Sequence, residues 1–503
     1  MELSGDQISL RQIAAIAFGD EPVQSSAVAR PRILASHKVI ENIIARDELV
    51  YGVTTGFGKL SDVRIPRDAL VELQLNLVRS HACGIGNPLS EPEVRAMMLL
   101  RANVLALGFS GVRLELIEAL CELLNRRVCP VIPEKGSVGA SGDLAPLAHL
   151  ALTLIGEGEA FFEGERMPSA DALDRAKMKP VQLEPKEGLA LLNGTQGMHA
   201  VGGLALLRAK RLACVADVCG AMSLEALLGT SAAFDLRLQN ARPHPGQKAA
   251  AEHLLSILER SEIRESHLEN DPRVQDAYSL RCMPQVHGAV RGALSHCENV
   301  LLTESASATD NPLVFSESSD VISGGNFHGA PLALALDYAA IALTSLMSIS
   351  ERRIDRLNNP DKNEGLPAFL AHQPGLQSGF MIAHVAAASL LNEARVLAHP
   401  ASIDNITTSG GKEDHVSMGM TSALKLRSIV DLAENLLAIE LLAAAEGLEH
   451  RRPLKAGVAL EGAFAAVRRI APPLTQDRAL SGDIARLAEA IHRGDFDSER
   501  EKV

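Results

Sequence analysis

Residues 416–449 read VSMGMTSALKLRSIVDLAENLLAIELLAAAEGLE. Apolar residues dominate this stretch, and Lys425, Arg427, Asp431 and Glu434 interrupt them, with the charges recurring on one face. That pattern predicts a long bundle helix. Segments near 199–230, 329–357 and 378–397 share the same Ala- and Leu-rich character. Toward the N-terminus the pattern changes to shorter helices near 35–47, 67–80, 91–107 and 112–126, separated by glycine-rich loops. Strands are expected to be few, with a small hairpin over 159–168. The fold class is mainly α: a long-helix bundle whose N-terminal part carries glycine-rich loops. No repeat or low-complexity linker marks a sharp boundary. We read one continuous unit, with an N-terminal helical and loop region over 1–110 and a helical bundle over 111–503.

The 503 residues exceed the roughly 250–300 that a single core usually serves, so long helices must extend the core. Apolar residues are 47% and aromatics 3%, with no Trp, so the interior is built from aliphatic side chains. The net charge of −13, without a long basic block, argues against nucleic acid as a partner. Seven cysteines without a CxxC pair point to reduced thiols and a cytoplasmic protein. The start MELSGDQISLRQ lacks the basic-then-apolar order of a signal peptide. The longest uncharged stretch, 188–207, contains Asn193, Thr195, Gln196 and His199, which would be costly in lipid. No membrane span is expected.

The most informative loop is Gly136-Ser137-Val138-Gly139-Ala140-Ser141-Gly142-Asp143-Leu144-Ala145-Pro146-Leu147. One reading is a turn followed by a helix, with Asp143 or Ser141 as its cap and Pro146 in its first turns. The other is chemical. In a strained loop of small side chains the Gly142 nitrogen can reach the Ala140 carbonyl carbon. Ring closure with loss of two waters, one carrying away the Ser141 hydroxyl, yields a methylidene-imidazolone, an electrophile made from backbone.

The block Tyr51-Gly52-Val53-Thr54-Thr55-Gly56-Phe57-Gly58 is also glycine-rich. It fails as a phosphate loop, because five residues separate Gly52 from Gly58-Lys59 and Leu60 follows. Together with GSVGASGDLAPLAHLAL over 136–152, it resembles the histidine and phenylalanine ammonia-lyase family over roughly residues 35–450. The resemblance implies the helical aromatic amino acid ammonia-lyase fold and a homotetramer with shared sites. It also implies a 4-methylidene-imidazole-5-one cofactor (MIO) formed autocatalytically from Ala140, Ser141 and Gly142, with no metal and no pyridoxal phosphate.

Residue by residue, the resemblance makes Tyr51 the acid/base on an inner loop. A free phenol ionises near about pH 10, so a base of this kind needs positive charge nearby. Asn193, in Leu191-Leu192-Asn193-Gly194-Thr195-Gln196-Gly197, falls beside the imidazolone oxygen. Gln275, Tyr278 and Arg281 fall at substrate and cofactor, with Arg281 suited to a carboxylate. Ala277 stands where many relatives have proline. Phe327, in Gly324-Gly325-Asn326-Phe327-His328-Gly329, falls near the cofactor. The pair Ser80-His81 and the run Glu413-Asp414-His415 resemble the histidine-using branch, with His81 suited to an imidazole substrate and Glu413 near the substrate ring or amine. Consecutive residues of Glu413-Asp414-His415 point in different directions and no HExxH pattern accompanies them, so metal is not expected.

The implied reaction is non-oxidative deamination of L-histidine to trans-urocanate and ammonia. Lys412 stands where many histidine-using relatives have Gln, which keeps open phenylalanine, tyrosine or a histidine betaine as substrate, and an aminomutase. An inactive helical scaffold predicts an uncyclised loop. A fumarase-like lyase would not need Ser141.

Overall fold

The computed structural model describes residues 1–269, 271 and 273–497. Helices dominate. In the first half, Arg30–Ala45, Leu70–His81, Glu91–Leu105 and Leu114–Asn125 stand where the apolar periodicity placed them. The long helices are Gln196–Ala226, Ala330–Asn358, Met381–Leu397 and Gly419–Glu449. Strands among the described residues have two to four residues each and pair in ribbons of two or three. The expected hairpin is present, with Glu159–Phe162 antiparallel to Glu165–Pro168. Cys129–Pro130 extends it to three strands, an addition too short to carry a period in sequence.

The chain forms two compact units, each gathered from separated segments. The first comprises Met1–Leu204, Cys297–Asp337 and Pro400–Leu424, and the second Ala205–His296, Tyr338–His399 and Lys425–Val503.

In the first unit, helix Glu91–Leu105 is buried at every position from Glu93 to Leu105. Its two arginines are therefore inside the core, and both are matched to acceptors. Arg95 donates to the carbonyls of Ile16 and Gly19 at 2.8 Å and of Leu124 at 3.0 Å. These carbonyls lie at the C-terminal ends of helices Leu10–Phe18 and Leu114–Asn125, where acceptors lack intrahelical donors and a cation is favoured. Arg101 serves the segment around Gly194, described below.

In the second unit, buried charges are again paired. Asp217 faces Nδ1 of His253 at 2.7 Å and of His287 at 2.6 Å, and accepts from Arg291. Arg353 and Glu440, both fully buried, form an ion pair. Leaving either partner alone would strand a charge in low dielectric, at a cost of about 3–5 kcal/mol.

One helix among the described residues, Ala330–Asn358, is long and apolar enough to cross a membrane, and 67% of its most apolar window is buried within the protein. No disulfide joins the described cysteines.

Candidate active site

The loop 136–143 is held from three directions, all within the first unit. Asp143 takes the N-cap position of helix Leu144–Leu154, but its side chain does not cap that helix. Neither does Ser141, whose hydroxyl turns toward Glu413. The Asp143 carboxylate instead accepts from the Met198 amide at 2.7 Å, at the start of helix Gln196–Ala226, and from Ser137 Oγ at 2.8 Å. The stronger need lies at the second helix, whose first amides are buried and have no intrahelical acceptor. Burial pushes the Asp143 carboxyl up to about 6 despite these hydrogen bonds. From a second side, the Met418 amide donates to Val138 O at 2.8 Å and Ser417 Oγ to Gly139 O at 2.9 Å. From a third, the Asp143 amide donates to Gly194 O at 2.7 Å.

This packing leaves no room for a side chain at Gly142 or at the nearby Gly139. Gly142 has φ +72°, and a Cβ there would lie 2.1 Å from Gly194 O. At Gly139, φ +67°, a Cβ would meet Ser417 Oγ at 2.1 Å. Ala140 is buried against Ala401, Val416 and Met418. A tightly enclosed loop of Gly, Ala, Ser and Gly suits attack of the Gly142 nitrogen on the Ala140 carbonyl, so the residues present fit the cyclic group.

Ser141 faces a cavity of about 580 Å³ that Tyr51, Lys59, Ser80, His81, Asn193 and Glu413 also line. Its walls are otherwise mostly apolar, from Phe57, Leu60, Leu73, Leu77, Leu144, Leu189 and Leu192. Ser141 Oγ donates to Glu413 Oε1 at 3.0 Å, and Thr408 Oγ1 holds the other carboxylate oxygen at 2.7 Å. His81 Nδ1 lies 2.8 Å from Leu77 O. A carbonyl only accepts, so Nδ1 carries the proton and the neutral ring keeps Nε2 as an acceptor. Asn193 Nδ2 donates to Asn311 O at 2.9 Å. Tyr51 sits in a turn closed by the Gly56 amide on Val63 O and the Ile65 amide on Thr54 O. Its hydroxyl makes one long contact, 3.5 Å, with the Gly58 amide.

The remaining residues named from sequence are elsewhere. Gln275, Tyr278 and Arg281 belong to the second unit. Tyr278 is 71% exposed, and the Arg281 guanidinium stacks over its ring at 4.7 Å. Phe327 lies in a turn and does not line the cavity. Lys412, the departure from the histidine-using pattern, is exposed and does not line it either. Three polar contributors were not singled out from sequence, Lys59, Asn76 and Ser409. Lys59 sits in the glycine-rich block and brings positive charge to the wall that carries Tyr51. Ser409 had no motif to mark it. Among the described residues, His372, Glu446 and His450 have metal-ligand chemistry at close range. There Glu446 is already engaged by Arg468 at 3.0 Å and by the Leu474 amide.

The profile of aromatic amino acid lyases matches residues 8–469. The chain belongs to the aromatic amino acid lyase family. A relative of this lyase, the histidine ammonia-lyase of Koribacter versatilis (strain Ellin345), is 55% identical over 98% of each chain. The crystal structure of histidine ammonia-lyase from Trypanosoma cruzi superposes with a TM-score of 0.91 at 41% identity, covering 99% of this chain and 96% of the other. That of tyrosine aminomutase from Streptomyces globisporus superposes with a TM-score of 0.94 at 37% identity, covering 99% and 97%. Neighbours with different reactions share this fold, so the reaction of this lyase must be argued from its site.

The packing at 142 yields a first expected outcome. A methyl group in Gly142→Ala meets backbone that cannot swing aside, in a conformation that disfavours L side chains by about 1–2 kcal/mol. The variant should fold around an open loop. Mass spectrometry of the 140–142 peptide should then show all of Ser141 retained, and activity should be lost.

Proposed function

We propose that this lyase eliminates ammonia from L-histidine to give trans-urocanate, the first step of histidine degradation, using the group formed from Ala140, Ser141 and Gly142. The observation that carries the reading is the meeting of Ser141, Tyr51, His81 and Glu413 on one cavity. An imidazole ring offers N–H donors at its edge. His81 Nε2 and the Glu413 carboxylate are both acceptors, so the cavity complements an imidazole better than a phenyl ring. The position of Lys412 away from the cavity removes the main objection to histidine, and the histidine ammonia-lyases among the relatives support it.

The chemistry needs help at two points, because the β-proton is weakly acidic and ammonia leaves poorly. The cyclic group, when formed, supplies an electrophilic carbon that takes the substrate amine and makes the nitrogen a better leaving group. Tyr51 removes the β-proton, with Lys59 lining the same cavity. Asn193 lies beside the loop with its amide oriented by Asn311, placed to steady charge at the ring oxygen. The apolar walls exclude water and strengthen each of these interactions.

A carboxylate anchor is missing from this cavity, and Arg281, Tyr278, Gln275 and Phe327 supply it in our reading from neighbouring copies of the chain. Leu334, Tyr338 and Ile341 form an exposed apolar stripe on helix Ala330–Asn358, and Ile382, Val385 and Val396 are exposed on Met381–Leu397. Faces of this kind are usually buried against sister subunits. We therefore read the enzyme as a homotetramer with shared sites. The absence of disulfides among the described cysteines suits the cytoplasm.

The test is incubation of the purified chain with L-histidine, L-phenylalanine, L-tyrosine and a histidine betaine, following the unsaturated acids by ultraviolet absorbance and β-amino acids by chromatography. Urocanate and ammonia in equal amounts, with histidine preferred, is the expected result. A β-amino acid as main product would instead identify an aminomutase. Glu413→Gln should lower kcat/KM for histidine about 10–100-fold, the worth of a hydrogen bond to a charged group. An unchanged value would remove Glu413 from the site.

A further inference from the structure

Behind the Asn193–Gly194 segment lies a group of buried charges that the proposed reaction has not used. Arg101 and Lys186 are fully buried and Asp310 is 1% exposed. Lys186 Nζ donates to Asp310 Oδ2 at 2.7 Å. Lys186 holds a left-handed backbone conformation, φ +73°, which a non-glycine residue keeps only where its surroundings demand it. The Arg101 guanidinium donates to Gln196 Oε1 at 2.7 Å and to Ala190 O. None of the three lines the cavity.

Arg101 reaches the cofactor loop through Gly194, and the Lys186–Asp310 pair reaches Asn193 through Asn311. Asp310 Oδ1 accepts from the Asn311 amide at 2.7 Å, and the Asn311 carbonyl accepts from Asn193 Nδ2 at 2.9 Å. Arg101 and Gln196 pack so closely on Gly194 that a Cβ there would lie 2.2 Å from each. Gly194 O in turn receives the Asp143 amide at 2.7 Å and abuts Gly142. Within this trio two cations and one anion leave one net positive charge, with burial lowering the Lys186 ammonium and Asp310 opposing that shift. Arg101 stays charged near neutrality, since burial lowers it only to about 10. Burial raises the neighbouring carboxyls Asp143 and Glu304, Asp143 only to about 6, so it stays largely anionic near neutrality and lies outside this trio.

We propose that Arg101, Lys186 and Asp310 are positioning residues that fix Asn193 and Gly194 and hold a net positive charge behind the cofactor loop. A fixed cation in a dry interior would favour, without reorganisation, any negative charge that the cyclic group carried while acting as an electrophile. A surplus of buried charge is otherwise a poor stabiliser of the fold, which favours a functional reason for keeping it. The proposal rests on the lyase reading above.

Charge, and not merely the ion pair, is what the test must read. Lys186→Gln keeps a hydrogen-bond donor for Asp310 and lowers the net charge to zero. Lys186→Arg keeps the charge. The double variant Lys186→Met with Asp310→Asn removes both partners, keeps an acceptor for the Asn311 amide and restores the net positive charge through Arg101. All are measured as purified full chains with histidine, after intact mass has shown the loss of two waters. Lys186→Gln should lose about 10–100-fold in kcat with KM within about threefold, the range for residues that orient a site from behind. Lys186→Arg and the double variant should each regain most of that loss.

A folded, cyclised Lys186→Gln with wild-type kcat would overturn the proposal, as would a double variant no faster than the single one. If Lys186→Gln does not fold, the double variant decides alone, because it removes Lys186 and Asp310 together and strands neither of these two charges: kcat within about tenfold of wild type supports the proposal and a larger loss overturns it. A wild-type chain that deaminates none of the amino acids would defeat the lyase reading itself, and this proposal with it.

Discussion

Ser141→Ala should purify as a folded protein that deaminates histidine at least about 10³-fold more slowly than the wild type. The hydroxyl is the leaving group that turns Cβ of residue 141 into a methylidene carbon, and alanine has nothing to lose there. Without that carbon the enzyme must expel ammonia unaided from a substrate whose β-proton is weakly acidic. The structural cost is small by comparison. Ser141 Oγ makes one hydrogen bond, to Glu413, worth about 1 kcal/mol net. Total stabilities run to about 5–15 kcal/mol, so the variant's melting temperature should change little while its turnover collapses. Side-by-side measurement of kcat and thermal unfolding separates the two effects. Retained turnover would favour a lyase of the fumarase kind, for which Ser141 is an ordinary loop residue.

Tyr51→Phe is expected to lower kcat by about 10²–10⁴-fold, the usual contribution of a positioned general base. The hydroxyl's single contact inside the chain, 3.5 Å from the Gly58 amide, is at the limit of a hydrogen bond, so its removal disturbs little. Tyr51 is not part of the 136–143 loop, and the variant should still lose two waters on maturation. A cyclised but nearly inactive protein with KM close to wild type is the expected combination. A kcat within a few-fold of wild type would move the proton transfer to another residue, and Glu413, facing Ser141 across the same cavity, would be the first to examine.

The parts of this protein that sequence made legible are those in which residue type is dictated locally. Helices such as Gly419–Glu449 and Ala330–Asn358 show their buried stripe as a period, and their ends were placed to within a few residues. The loop at 136–142 stood out because the proposed ring closure needs small side chains, and the structure adds obstacles to a side chain at Gly142 and Gly139, Gly194 O and Ser417 Oγ. Contacts across the chain were not legible. Asp143 reads as the cap of its own helix, yet it serves helix Gln196–Ala226, because buried amides there had the greater need. Nothing in their own segments marks Arg101 and Lys186 as buried, and only the approach of Asp310 and Gln196 gives them partners inside. The gathering of 297–337 and 400–424 into the first unit leaves no compositional mark, since each return of the chain runs through an ordinary helix or loop. Tyr278 and Arg281 resemble a substrate grip in sequence, but Tyr278 is exposed and neither lines the cavity of a single chain.

Peptide mass spectrometry across residues 140–142, on freshly purified and active wild-type protein, tests the central claim most directly. Condensation of Ala140, Ser141 and Gly142 predicts a fragment lighter by two waters than its encoded composition, with Ser141→Ala lacking that deficit. A fully active protein whose fragment carries the encoded mass would contradict the account.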